Sequence, residues 1–408
     1  VSALSYRSAA FCEAAKRLEV EIAQAVDLPT ELAHYWHVEL GVPFAEPDTA
    51  VADILSFASG KPLDAVVAVD DGATAIAARV ARALGLACNS PEASLAARDK
   101  YVMRNAFAAA GVASPTFRLL SLADDPRQLG RDISYPCVLK PRRLSGSRGV
   151  IRANDPLEFT AAFQRIGRMP AAGQDFVVED FIPGFEVALE GLLSAGGLRT
   201  LALFDKPDPL DGPFFEETIY VTPSRLSAPV QAAIRATAEA AARSVGLWEG
   251  PLHAELRVNE HGPWMVELAG RSIGGLCSSV LEFGAGVSLE ELILRHALGL
   301  ETPTQRTSEA AGVMMIPIPA GGWLREVRGV DEARQIPLIR DVTISVRLHQ
   351  RIVPLPEGAS YLGFIFAKGP SPAEVEQALR DAHARLAFRI EPELPLLNSK
   401  RQIQTTTR

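Results

Sequence analysis

Cysteine is scarce in this 408-residue chain: there are four, and no two form a CxxC pair. Cys12, Cys88, Cys137 and Cys277 are far apart and mostly sit among apolar neighbours. That excludes a disulfide scaffold or zinc framework and leads us to expect reduced thiols in a cytoplasmic protein. Long apolar runs are missing too. None approaches the roughly 20 residues that span a bilayer, so no membrane partner is expected. No positively charged start leads into a long apolar stretch, so no secretory signal is visible. Positive charge is not in excess either. A formal net charge of -8 excludes a broad basic surface for nucleic acid, while a small anion held by a few local cations stays open. The phosphate-binding pattern GxxxxGK followed by Ser or Thr is absent. Internal repeats are absent, and the polar tail Asn398–Arg408 is the one low-complexity segment.

What is present suits an enzyme of several domains. Hydrophobic residues at 48% with 22% charged describe an ordinary globular chain, and its length exceeds what one hydrophobic core usually serves. Two or three domains with a ligand cleft between them are therefore expected. Residues 1–89 alternate in the manner of a small α/β lobe with a parallel sheet: a helix through Phe11–Leu18, a strand at Val20–Ala23, a helix near Asp48–Ala58, a strand at Ala65–Val69 and a helix from Ala73 to Leu84. The sequence starts on Val1 with a helix close behind, so the strand that precedes such a helix is expected to be incomplete. Ser90-Pro91-Glu92 opens a helix, and Asp99 caps a second one, Lys100–Ala110, that stops at Gly111. Strands follow at Cys137–Lys140, Val150–Ala153, Phe176–Glu179 and Glu186–Leu193. After the alanine-rich helix Pro229–Val245 come the paired strands His253–Val258 and Trp264–Ala269. The last hundred residues read as short strands at Val313–Pro317, Val342–Leu348 and Gly363–Ala367 with one helix, Pro372–Leu386.

The paired strands carry the sharpest chemical signal. A turn centred on His261 sets Glu255 and Glu267 directly opposite on one face. Like charges there destabilise a sheet unless a cation joins them. Carboxylate and phosphate oxygens suit a hard divalent ion, so Mg2+ carrying a nucleotide is the natural occupant, with Mn2+ as a substitute. The pattern alone also fits a solvated hairpin in which Arg257 neutralises Glu255. Just beyond, Arg271 precedes a glycine-rich bend and is suited to a phosphoryl or acyl-phosphate oxygen through its fork of donors; an ordinary surface loop is the alternative.

Three further elements suit a nucleotide. Lys140 ends an apolar strand and enters the basic, flexible loop Ser145-Gly146-Ser147-Arg148-Gly149, whose amides can wrap phosphates; a hairpin tip that binds nothing is the alternative. Lys100 stands in the first turn of its helix, where the macrodipole disfavours a cation unless a phosphate lies in front. Around Pro183-Gly184, a strand edge near Glu179, Phe181 and Ile182 offers backbone groups to an adenine, and Glu186 can accept ribose hydroxyls or be a plain strand-end charge.

In this order the motifs resemble the ATP-grasp superfamily, and within it the L-amino-acid ligases that make dipeptides. The resemblance spans nearly the whole chain. It implies an N-terminal α/β lobe (1–89), a central two-subdomain ATP grasp (90–300) and a C-terminal α+β lobe (301–408) containing Gly312–Pro319 and Tyr361–Gly369. It implies that Lys100 and Lys140 hold ATP phosphates, with Ser145, Gly146, Ser147 and Gly149 in the loop that closes over them. By the same likeness Glu179 and the Phe181–Ile182 backbone meet the adenine, Glu186 the ribose, Glu255 and Glu267 the metal, and Arg271 the reacting phosphoryl group. Many members carry asparagine two residues after the second glutamate, whereas Ala269 stands here and removes one metal ligand. Glu-x-Ala-x-Arg occurs in some of the dipeptide ligases. The implied reaction is ATP-dependent joining of a small carboxylate and an amine, with a homodimer compatible. Alternatives are a biotin-carboxylase-like or purine-pathway enzyme of the same superfamily, or a nucleotide-binding module without turnover. Lys206, the stretch Gly212–Glu217 and Arg225 are candidates for substrate contact.

Overall fold

The structure, a computed structural model, describes residues 1–393 apart from 3, 4, 6 and 359; the polar tail Asn398–Arg408 lies outside the described residues. Two antiparallel sheets frame a cleft. The smaller has four strands in the order Phe117–Ser121, Asp175–Asp180, Cys137–Pro141, Ile151–Ala153. Leu139, Phe176 and Val178 bury one face of it against Phe159, Phe163 and Ile166 of the helix Pro156–Gly167. Asp155 starts that helix by accepting from the amides of Leu157 and Glu158, with Pro156 placed where no amide is needed.

The larger sheet runs through eight strands: Gly262–Ala269, Gly250–Asn259, Phe185–Ser194, Gly197–Lys206, Ile219–Thr222, Ala310–Ile316, Gly363–Gly369 and Ile339–Ile344. Its central strands are apolar on both sides because both faces are covered. Val187, Leu189 and Leu252 pack on Ile234, Ala238 and Ala241 of the helix Ala228–Ser244. On the other face Ala188, Ala202 and Phe204 share a core with Leu292 and Ile293 of the helix Leu289–Ala297. Strands from the C-terminal third are thus continuous with the carboxylate hairpin in one sheet, and the helix Pro372–His383 covers them through Val375 and Leu379.

The N-terminal lobe differs from expectation. Its helices form as Ser8–Leu18, Pro47–Gly60 and Asp71–Ala83, but Val20–Ala23 and Ala65–Val69 belong to no strand among the described residues. The parallel pairing found there is the short ladder of Ala25–Val26 with Leu40–Gly41. The two expected strands instead flank a largely apolar cleft of about 450 Å³ lined also by Phe11 and Leu294. Strand-like composition makes no ladder without a neighbouring backbone. No helix among the described residues is long and apolar enough to cross a membrane.

Candidate active site

Glu255 and Glu267 are Cα partners across the hairpin, but the turn is not centred on His261. Asn259 pairs with Gly262, which has φ +104, so the centre falls between Glu260 and His261. A turn placed there would set Glu255 opposite Val266 and send Glu267 to the other face. A bulge between Glu255 and Leu256 shifts the register by one residue and restores the pair. The Val266 carbonyl at this irregularity accepts from Arg104 Nη2 at 2.6 Å.

Each carboxylate has its own cation. Lys100 Nζ lies 3.3 Å from Glu267 Oε1, while Glu255 Oε1 is 3.3 Å from Lys206 Nζ and 3.2 Å from His253 Nε2. The facing charges therefore do not by themselves demand a metal. Arg257, the other candidate neutraliser, is engaged elsewhere: it donates to Glu186 Oε2 at 2.9 Å, to the Ile182 carbonyl at 2.9 Å and to the Leu210 carbonyl.

Lys206 gathers a second group of acids. Its Nζ is 2.8 Å from Glu186, 2.5 Å from Glu217 and 3.3 Å from Glu255. Ligand oxygens of these three glutamates lie within 4.8 Å of one another. Burial would raise the Glu255 carboxyl, but Lys206 and His253 outweigh it and hold it well below its usual range. Glu217 goes the other way, pushed up by burial and by Glu255 despite Lys206. Burial would lower the His253 imidazole, yet Glu190 and Glu255 bring it up to about 9, so near neutral pH the ring is charged and donates from both nitrogens.

On the opposite sheet, Glu179 accepts both donors of the Arg104 fork, at 2.8 and 3.0 Å, and meets Lys140 Nζ at 2.7 Å. Arg104 follows Lys100 by one helical turn, so both cations leave the same helix face. Burial would raise the Glu179 carboxyl, but Arg104 and Lys140 overcome it and bring it down to about 2. A carboxyl held lower in the folded chain adds stability above its unfolded value near 4.5 and loses it as pH falls toward 2. The unfolding free energy measured with urea should therefore drop through that window by an amount on the order of 3 kcal/mol, and Glu179→Gln should flatten the drop. An equally steep profile in the variant would contradict the assignment.

The loop after Lys140 bends through Gly146, Ser147 and Gly149, all at positive φ. A Cβ on Gly149, at φ +70, would lie 2.6 Å from Pro141 Cγ, so only glycine fits where the loop turns back on its strand. The Gly149 amide donates to the Pro356 carbonyl at 2.8 Å, which ties the loop to the C-terminal lobe. Lys100 reaches under the loop to the Leu144 carbonyl at 2.7 Å. At the strand edge, the Phe181 amide is already taken by the Pro136 carbonyl, and the Phe181 ring lies between Arg152 and Arg257, at 4.0 and 4.8 Å. The Ile182 amide has no partner among the described residues.

Lys100, Lys140, Ser147, Glu179, Phe181, Ile182, Glu186, Glu255 and Glu267 line one cleft. Ser145, Gly146 and Gly149 belong to the loop above it but not to its lining. Arg271 is also outside the lining. Its fork grips Asp71 at 2.9 and 2.7 Å, at the start of the helix Asp71–Ala83. Asp71, Arg104, Glu190 and His253 were not singled out from the sequence, although charged residues inside the apolar strand Phe185–Ser194 and the alanine-rich helix Lys100–Ala109 were visible signals. The lining suits a nucleotide with a divalent ion: Val138, Ile182, Leu210 and Phe215 offer apolar surface, Lys100 and Lys140 offer positive charge, and Glu255 and Glu267 offer hard oxygen donors.

Residues 133–280 match the ATP-grasp domain family, and residues 314–391 match L-amino acid ligase C-terminal domain 2. Alanine-anticapsin ligase of Bacillus subtilis (strain 168) is 27% identical over 283 residues, which are 64% of this chain and 59% of that ligase. Dapdiamide A synthase of Enterobacter agglomerans is 27% identical over 242 residues, 58% of this chain and 57% of the synthase. Both alignments thus span less than two thirds of the relative's length. The crystal structure of an L-amino acid ligase from Bacillus licheniformis superposes with a TM-score of 0.77 at 26% identity, covering 93% of this chain and 95% of that one. The chain thus carries an ATP-grasp domain at its centre and an L-amino acid ligase C-terminal domain after it, and its architecture is similar to that of an L-amino acid ligase along nearly its whole length.

Proposed function

We propose that this protein joins a small carboxylate to an amine through an acyl phosphate, releasing ADP and phosphate, with an amino acid on at least one side of the new amide bond. The observation that carries this reading is the convergence of Lys100, Lys140, Glu255 and Glu267 on one cleft between the two sheets. The C-terminal domain match favours an amide-forming ligase over a bicarbonate-using enzyme of the same superfamily.

In this reading Lys100 and Lys140 neutralise the phosphates of ATP, and the Ser145–Gly149 loop covers them. The free Ile182 amide offers the adenine a donor. Glu179 is committed to Arg104 and Lys140, so its part is to aim Lys140 rather than to touch the base. Glu186 shares its oxygens between Lys206 and Arg257 and meets the ribose while held by both. Glu255 and Glu267 hold Mg2+, or Mn2+ in its place. When bound, the ion offsets charge spread over the transferring phosphoryl group.

A carboxylate oxygen of the first substrate attacks the γ-phosphorus, the bond to the bridging oxygen breaks, and ADP leaves. The amine nitrogen of the second substrate then attacks the acyl carbon, phosphate departs, and the nitrogen gives up a proton. Arg271 stabilises the phosphoryl oxygens by exchanging its fork from Asp71. The loop excludes water, which would otherwise hydrolyse the acyl phosphate.

Purified protein with ATP, Mg2+ and a panel of amino acids should release ADP and phosphate only with acceptable substrates. Mass spectrometry should find a product equal to two substrates less one water. Bicarbonate-dependent ATP hydrolysis would favour the carboxylase reading instead. Nucleotide binding without release across a broad panel would favour a module that does not turn over.

A further inference from the structure

Glu190 is 1% exposed, and the reaction as described gives it no part. It follows Glu186 by four residues on the strand Phe185–Ser194, hence on the same face, and stands directly opposite His253. Its Oε1 meets His253 Nδ1, and its Oε2 accepts the Ile273 amide at 2.9 Å. The other ring nitrogen, His253 Nε2, lies 3.2 Å from Glu255 Oε1. A carboxylate this deep is costly unless its oxygens are satisfied. Each of these two bonds leads to a part of the site: one through the imidazole to Glu255, the other to the backbone two residues beyond Arg271.

We propose that Glu190 and His253 are positioning residues, which fix the rotamer of Glu255 and anchor the glycine-rich bend after Arg271 through one buried carboxylate. The inference rests on the reading that Glu255 is a metal ligand. It adds that Glu255 is aimed from behind, as metal-binding side chains commonly are by a partner that touches no metal. Lys206 meets the same oxygen, Glu255 Oε1, at 3.3 Å, so without His253 the carboxylate keeps a charge partner but loses one of the two contacts that fix its orientation.

The test uses the full chain, Mn2+ and a non-hydrolysable ATP analogue, with free Mn2+ followed by electron paramagnetic resonance. His253→Asn keeps an amide nitrogen near the place of Nδ1 and abandons Glu255, whereas His253→Gln restores a nitrogen near Nε2. The expected result is Mn2+ affinity about 10- to 100-fold weaker in His253→Asn and in Glu190→Gln, partly recovered in His253→Gln, with metal-free nucleotide binding unchanged. Mn2+ affinity equal to that of the unaltered protein in folded variants overturns the proposal, even if their unfolding midpoints are lower. Should His253→Asn fail to fold, Glu190→Gln decides the matter by the same readout. Failure of the unaltered protein to bind Mn2+ with the nucleotide would instead overturn the functional reading, and this inference with it.

Discussion

Glu267→Gln is expected to cut amide formation by roughly 100- to 1000-fold while the chain stays folded, the range seen when one group that stabilises transferring charge is removed. Its side chain is 36% exposed, and its cationic neighbour Lys100 keeps a second acceptor in the Leu144 carbonyl. Losing the charge also relieves repulsion from Glu255 across the hairpin. Stability should therefore change little, and the ATP concentration giving half-maximal rate should rise less than the maximal rate falls. The change is isosteric, so a collapse in rate with an unchanged melting temperature isolates the charge. Product formation within a few-fold of the parent would remove Glu267 from the metal site and leave Glu255 with the Lys206 group as the remaining acidic centre. Glu255→Gln is a poorer first experiment, because it also breaks contacts to Lys206 and His253.

The largest loss of stability is expected from Glu179→Ala, at about 3–5 kcal/mol, as when one partner of a buried ion pair is removed. Arg104 is fully buried and Lys140 7% exposed, and both direct their charge at this carboxylate. Removing it leaves two cations with no counter-charge beneath the smaller sheet. Arg104 would retain the Val266 carbonyl, so the damage should concentrate on the strand Cys137–Pro141 and the loop that follows. Urea unfolding measures the total, and amide hydrogen exchange locates it. If the variant unfolds within about 1 kcal/mol of the parent, the triad is not the stabilising centre described here. Arg104→Met should be milder than Glu179→Ala, because Lys140 remains to balance the carboxylate.

Several elements were readable because their causes are local. Ser90 and Asp99 cap their helices through side-chain bonds to Ala93 and to Tyr101 and Val102, as their identities and positions imply. Alternation and turn chemistry marked the hairpin, and the alanine-rich run marked the helix Ala228–Ser244. The strand Gly197–Lys206 was missed. It starts on Gly197 and ends on Lys206, and its strand character comes from being sandwiched between Phe185–Ser194 and Ile219–Thr222. The opposite error occurred at Val20–Ala23 and Ala65–Val69, where composition promised strands but no neighbouring backbone completes a ladder. The pairing of Glu255 with Glu267 was anticipated by assuming a symmetric turn, and it is present by a different route, a shorter turn compensated by a bulge.

The amino-acid sequence by itself determined the kinds of chemistry available: two glutamates across a tight hairpin, a lysine leading into a glycine-serine loop, and an arginine before a flexible bend. These follow from residue type and short spacing, which need no knowledge of distant contacts. Only the tertiary structure decided which charges are spoken for. Glu179 is committed to Arg104 and Lys140, Arg271 to Asp71 from 200 residues away, and Glu255 to a relay that begins at Glu190. Such pairings form because burial makes an unmatched charge expensive. Which charges are buried together depends on how strands and helices far apart in the chain come to share one face.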